Sequence, residues 1–131
     1  MPYNGQVEGK NMKALLRLLL IVVLAGSFAS MAFAADVQGM LLDKMCSPNI
    51  VKANDQAGAK AHTRDCALME DCAKAGYGVL TADGKFVNID PAGKAKVIQA
   101  LKASTKKDDL RVQVSGDIKG DTIKIASIKI L

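Results

Sequence analysis

From Leu110 to Ile130 apolar and polar residues alternate with a period of two, the pattern of strands that bury one face. Leu110, Val112, Val114 and Ile118 carry the first run, Lys119-Gly120-Asp121 turns the chain, and Ile123 and Ile125 carry the second. At Ala126-Ser127 the phase slips, because the next apolar pair is Ile128 and Ile130. A slip of one residue turns the buried face outward unless an extra residue is absorbed, so the pattern predicts a β-bulge near Ala126 or Ser127. Such a bend suits a strand that serves a closed barrel.

The upstream patterns are shorter. Val37 to Leu42 is an apolar run with Gly39 inside it, which predicts a first strand with a bulge or close backbone approach at the glycine. Tyr77 to Thr81 and Lys85 to Asp90 read as two strands joined by Ala82-Asp83-Gly84, whose Asp-Gly pair supplies the positive φ of a tight hairpin. Asp90-Pro91 then offers an N-cap and a proline for the first helical turn, and Val97, Ile98 and Leu101 share one face of the following helix. Lys102, Lys106 and Lys107 lie at or beyond its negative end.

Between the first two strands the period is lost. Ser47 to Ala61 is polar, opens on a Ser-Pro turn signal and reads as a loop. Thr63 to Ala75 reads as one short helix, with Cys66, Leu68, Met69, Cys72, Ala73 and Ala75 on a broad apolar side, Glu70 and Lys74 as an i, i+4 pair, and Gly76 as the stop. The order predicts a mainly β fold with two helices: a five-stranded OB-like barrel with a Cys-bearing loop and helix inserted between strands 1 and 2. The competing arrangement is an open α+β sheet with both helices on one face.

The N-terminus reads as an export leader. Met12-Lys13 and Arg17 form a basic start, Leu18 to Ala25 is an unbroken apolar run, and Ala32-Phe33-Ala34 supplies the small residues read by signal peptidase. The expected division is residues 1–34 as an N-terminal extension and cleavable signal peptide, and 35–131 as one small domain of about 97 residues. Residues 1–11 are unlike the start of a leader, so both Met1 and Met12 stand as start sites. The apolar run is shorter than the roughly 20 residues a membrane span needs, and no cysteine lies at the cleavage region to carry a lipid. The expected location is periplasmic or secreted, with no stable membrane anchor after cleavage.

Cleavage removes Glu8, Lys10, Lys13 and Arg17, so the net charge of +5 falls to about +3. The remaining lysines alternate with aspartates and form no run, whereas nucleic-acid binders carry a clustered basic stripe with aromatics. No nucleic-acid partner is expected.

All three cysteines and the single histidine fall between Cys46 and Cys72. On one continuous helix His62 and Cys66 share a face, a spacing suited to gripping one ion. Cys66 and Cys72 are then about 9 Å apart along the axis, beyond the roughly 7 Å that a disulfide tolerates, so a bridge between them requires a broken helix. A Cys46 bridge to Cys66 or Cys72 would stabilise a domain of this size by roughly 2 to 4 kcal/mol. The alternative is a metal site of Cys46, His62, Cys66 and Cys72, a Cys3His set for zinc, or for copper if Met40, Met45 and Met69 act as a soft set rather than as core filler. A third possibility is one reactive cysteine, although Cys-x-x-Cys and Cys-x-x-Cys-His are both absent and nothing identifies an orienting third group or an oxyanion hole.

Two neighbours have plainer readings. Tyr77 between two glycines reads as half-buried packing with its hydroxyl in water, and Arg64-Asp65 as a solvated ion pair rather than a support for the imidazole.

The run His62-Thr63-Arg64-Asp65-Cys66-Ala67-Leu68-Met69, then Cys72-Ala73-Lys74-Ala75-Gly76-Tyr77-Gly78 and Asp83-Gly84-Lys85-Phe86, resembles a group of small exported bacterial proteins of uncharacterised function. These place an early Cys, a His-Thr-x-x-Cys segment and a Cys-x-x-x-Gly-Tyr-Gly segment before a terminal β-hairpin. The resemblance spans nearly all of residues 35–131 and implies export and a shared Cys/His site, with no activity attached.

The expectation is an exported, non-enzymatic binding or accessory module with a disulfide-stabilised or metal-binding site. Its partner would be a ligand or an envelope protein. The alternative is a periplasmic thiol-redox factor or thiol enzyme.

Overall fold

A computed structural model describes residues 33–131, and the leader reading lies outside this range except at Phe33 and Ala34, where the first strand begins. Five strands, β1 (Phe33–Asp43), β2 (Tyr77–Leu80), β3 (Phe86–Ile89), β4 (Arg111–Lys119) and β5 (Thr122–Ile130), close a barrel in the order β1-β2-β3-β5-β4. β1 pairs antiparallel with both β2 and β4, which puts the first strand at the centre of the wall. β3 and β5 run parallel and meet through only two residue pairs, Asn88 with Thr122 and Ile89 with Ile123. The open-sheet alternative is thereby excluded.

The C-terminal hairpin follows its sequence pattern closely. Val112, Val114, Ile123 and Ile125 are buried, and β4 pairs with β5 in register until Ser115 faces Ser127 and Gly116 faces Ile125. Ala126 is the residue passed over, so the phase slip is absorbed by a bulge at that position. Gly84 has φ +87 in the β2–β3 turn, the left-handed conformation that a side chain would disfavour. At Gly39 the β2 backbone comes so close that a Cβ would collide with the Leu80 carbonyl.

The chain passes from β3 to β4 through a 3-10 turn (Pro91–Gly93) and a helix (Lys94–Ala103). Val97 and Leu101 of that helix join Val37, Leu41, Val79, Leu110, Val112, Val114 and Ile123 in the main core. Among the described residues no helix is long and apolar enough to cross a membrane.

The segment between β1 and β2 departs from expectation. In place of a loop and one helix there are four short helices: α1 (Pro48–Lys52), α2 (Gln56–Ala61), α3 (Arg64–Ala67) and α4 (Glu70–Ala75). Two signals of the polar stretch were local rather than periodic. Pro48 occupies the first turn of α1, and Asp55 caps α2 by accepting from the Gly58 amide at 2.9 Å. The single helix expected over Thr63–Ala75 breaks at Met69, whose ψ of 143 is extended.

The insertion covers the outer side of β1. Met40 and Leu42 pack there with Ala59 and Leu80, backed by Ile50, Val51 and Phe86, while Leu41 faces the barrel interior. Both faces of β1 are therefore buried at its end. The far side of the insertion is tied to the approach to β4: the Arg64 amide donates to the Lys107 carbonyl at 2.8 Å and the Asp109 amide to the Lys60 carbonyl at 2.9 Å. The Arg64 guanidinium donates to the Ser104 carbonyl.

Candidate metal centre

Asp43, the last residue of β1, is fully buried and touches every part of the site. Its Oδ1 accepts from the backbone amides of Met45 at 3.0 Å and Cys46 at 2.8 Å. Its own carbonyl accepts from the Ser47 hydroxyl. This Asx-type turn folds the chain back on itself and holds Cys46 beside the strand end. The other carboxylate oxygen, Oδ2, lies 2.8 Å from Nε2 of His62.

The remaining elements deliver one thiol each. Thr63 caps α3 by accepting from the Cys66 amide at 3.1 Å, which starts a new helix just before Cys66. Four residues cannot hold a helix unaided. The Tyr77 hydroxyl fastens α3 to the barrel by donating to the Ala67 carbonyl at 2.6 Å. Tyr77 is thus buried packing with an internal hydrogen bond, not the half-wet tyrosine expected. α4 carries Cys72, which is 3% exposed, and ends at Gly76, whose φ of +93 lets the chain turn straight into β2.

The break between α3 and α4 allows Cys66 and Cys72 to converge, as the spacing argument required. A carboxylate oxygen of Asp43 and the sulfurs of Cys46, Cys66 and Cys72 all lie within 4.8 Å of one another, so these four residues can hold a metal ion such as zinc. The Cys46 and Cys72 sulfurs are 3.6 Å apart, in contact but not bonded, and among the described residues no disulfide is at bonding distance. Two sulfurs at about 2.3 Å from a shared tetrahedral ion stand roughly 3.8 Å apart. The observed 3.6 Å is compatible with that spacing.

His62 stands one step back. It ends α2 as its C-cap in an extended conformation, with φ −64 and ψ 128, so it does not share a helix face with Cys66. Its ring instead meets Asp43. Neither Nε2 nor Asp43 Oδ2 has an aligned hydrogen-bond partner among the described residues, and the two buried atoms lie against each other. Arg64 and Asp65 form a loose, solvated pair at 3.7 Å and play no part in orienting the imidazole.

Asp43 is the member of the cluster that the spacing of Cys and His did not reveal. It had one usable signal. In a strand, Asp43 shares the inward face of Leu41, which is an unfavourable place for a lone carboxylate unless something compensates it. Cys46 follows three residues later.

Cys66 and Cys72 are disfavoured as thiolates by their surroundings. Burial first, then the neighbouring Cys46 thiol and the negative Asp43, pushes Cys72 up to about 12. Burial, with Cys46 next, also raises Cys66. Ionising these thiols next to Asp43 is unfavourable until a cation arrives to offset the charge. Tyr77 is likewise pushed up to about 12 by burial and then by Asp43.

The methionines divide into two kinds. Met40 is buried in the packing between β1 and the insertion, as core filler. Met45 and Met69, beside the cysteines, are 56% and 59% exposed and fill no core.

Comparison with protein-family models, curated proteins and solved structures gave no match to the chain, so the site is interpreted from its own geometry.

Proposed function

We propose that this is an exported, non-enzymatic binding module that holds one zinc or copper ion at Asp43, Cys46, Cys66 and Cys72. The observation that carries this reading is the convergence of three sulfurs and a buried carboxylate oxygen within 4.8 Å. Sulfur donors select thiophilic ions, and the one oxygen of the buried Asp43 carboxylate that accepts no aligned hydrogen bond, Oδ2, gains from a nearby cation. His62 then acts through Asp43, fixing the carboxylate rather than ligating. The apolar leader and its small-residue exit support periplasmic or secreted placement.

The scaffold is read as OB-like. Support comes from β1 pairing with both β2 and β4, from the parallel closure of β3 on β5, and from the helix between β3 and β4. On that barrel the ligand or envelope protein served by the ion would meet the insertion, where Cys46 is exposed.

A second reading, a thiol-redox factor, draws on the 3.6 Å approach of Cys46 to Cys72. Against it, burial keeps Cys66 and Cys72 protonated, which is unfavourable for a standing thiolate nucleophile. Native intact mass of gently purified protein, with and without chelator and alkylation, separates the two. A bound transition metal that leaves on chelation and protects the thiols is expected. Metal-free protein with one disulfide and no modifiable thiol would defeat the metal reading.

A further inference from the structure

We propose that the ion is Cu(I), and that the exposed thioethers of Met45 and Met69 relay it between solvent or a donor and the three cysteine sulfurs. This rests on the metal reading of the thiol cluster and names its cargo and its route.

Scattered exposed apolar side chains are ordinary. These two are neighbours of the thiols in sequence. Met45 directly precedes Cys46, and Met69 lies in the α3–α4 break, three residues from both Cys66 and Cys72. With Leu131 they are the exposed large apolar residues among those described. A thioether is uncharged at every working pH, binds soft Cu(I), and is a poor ligand for zinc. It is also weaker than a thiolate, so it can take the ion and release it.

The cluster favours the same ion. Asp43 already accepts two backbone amides and faces His62, so the three sulfurs are the donors with the fewest other commitments. Cu(I) is satisfied by three sulfurs. Zinc in a structural site takes four ligands and would have to draw on Asp43. In the relay, copper–thioether bonds break as copper–thiolate bonds form. Each thiol that ligates gives its proton to solvent, and copper stays in the +1 state throughout.

The test uses the reduced chain under anaerobic conditions, loaded in turn with Cu(I) and Zn(II). Transfer of each ion to a chromogenic chelator is timed for the parent and for a Met45→Leu, Met69→Leu double variant. The parent is expected to hold Cu(I) at chelator concentrations that strip zinc. The variant is expected to keep its copper stoichiometry but to exchange copper roughly tenfold more slowly, the scale on which supporting groups act at metal sites, with zinc exchange unchanged. A merely structural effect of the substitutions would slow both ions alike and overturn the proposal, as would unchanged copper exchange. Retention of zinc in preference to copper overturns it while leaving the metal reading standing. Binding of neither ion defeats both.

Discussion

The barrel wall and the insertion between β1 and β2 are held together in different ways. β4 and β5 make eight ladder pairs and bury Val112, Val114, Ile123 and Ile125 in the main core, so their stability is spread over many small, similar contributions. The helices α1 to α4 are four to six residues long and would not persist alone. They are held by a few individual contacts: the Asp43 carboxylate, the Tyr77 hydroxyl, the Thr63 cap and the Arg64 ties to Ser104 and Lys107. The insertion adds these contacts to its apolar packing through Ile50, Val51, Ala59 and Ala67, and each orders the site more than any one ladder pair orders the wall.

Leu101→Ala tests the main core that backs the wall, and the largest loss is expected there. It removes a fully buried side chain from the main core, at a cost of about 3 kcal/mol or more in urea unfolding. Metal stoichiometry should survive under native conditions, and its loss would show that the two regions are not separable.

Asp43→Ala should cost roughly 3 kcal/mol, because it strands His62 and frees the Met45 and Cys46 amides. Here metal binding should fail along with stability. Intact binding in this variant would remove Asp43 from the centre of the site.

Tyr77→Phe deletes one buried hydrogen bond, for about 1 kcal/mol. The sharper readout is amide exchange. Faster exchange at Ala67 and Leu68 with unchanged exchange in β4 is expected, and uniform acceleration would mean that the tyrosine supports the wall instead.

At neutral pH the effect of ionisation is smallest. Cys72 and Tyr77 both rise to about 12, from 9.0 and 10.0. The stability of their neutral forms is complete below about pH 9 and is lost as pH climbs toward 12. Urea midpoints of the reduced, metal-free protein should therefore fall from about pH 8.5 to about 10.5, and fall less steeply in Cys72→Ala. Parallel slopes in the two proteins would contradict the assigned burial of that thiol.

The same contrast explains what could be read from the chain. A hairpin declares itself by period, so the slip at Ala126 was visible as a bulge and Gly84 as a turn. The barrel followed from the order of such elements. The insertion has no period to read. Whether the helix continues past Leu68 depends on Met69 adopting an extended ψ and on Tyr77 reaching back ten residues to Ala67, neither of which leaves a pattern in composition. The thiols were recognisable by type. Asp43 was missed as a site residue because one carboxylate at the end of an apolar run differs from a surface charge only once both faces of β1 are seen to be covered. The imidazole was placed beside Cys66 by assuming one helix where there are two.

β1 sits between β2 and β4 in the closed wall. Its second partner, β4, begins about 40 residues after Cys72, so β1 is walled on both sides only when a distant part of the chain has joined it. Until then Asp43 has no covered strand end to sit in, and the three thiols have no cage around them. The site is thus closed by residues far along the chain from the thiols that form it, and its shape is settled only when the whole barrel is.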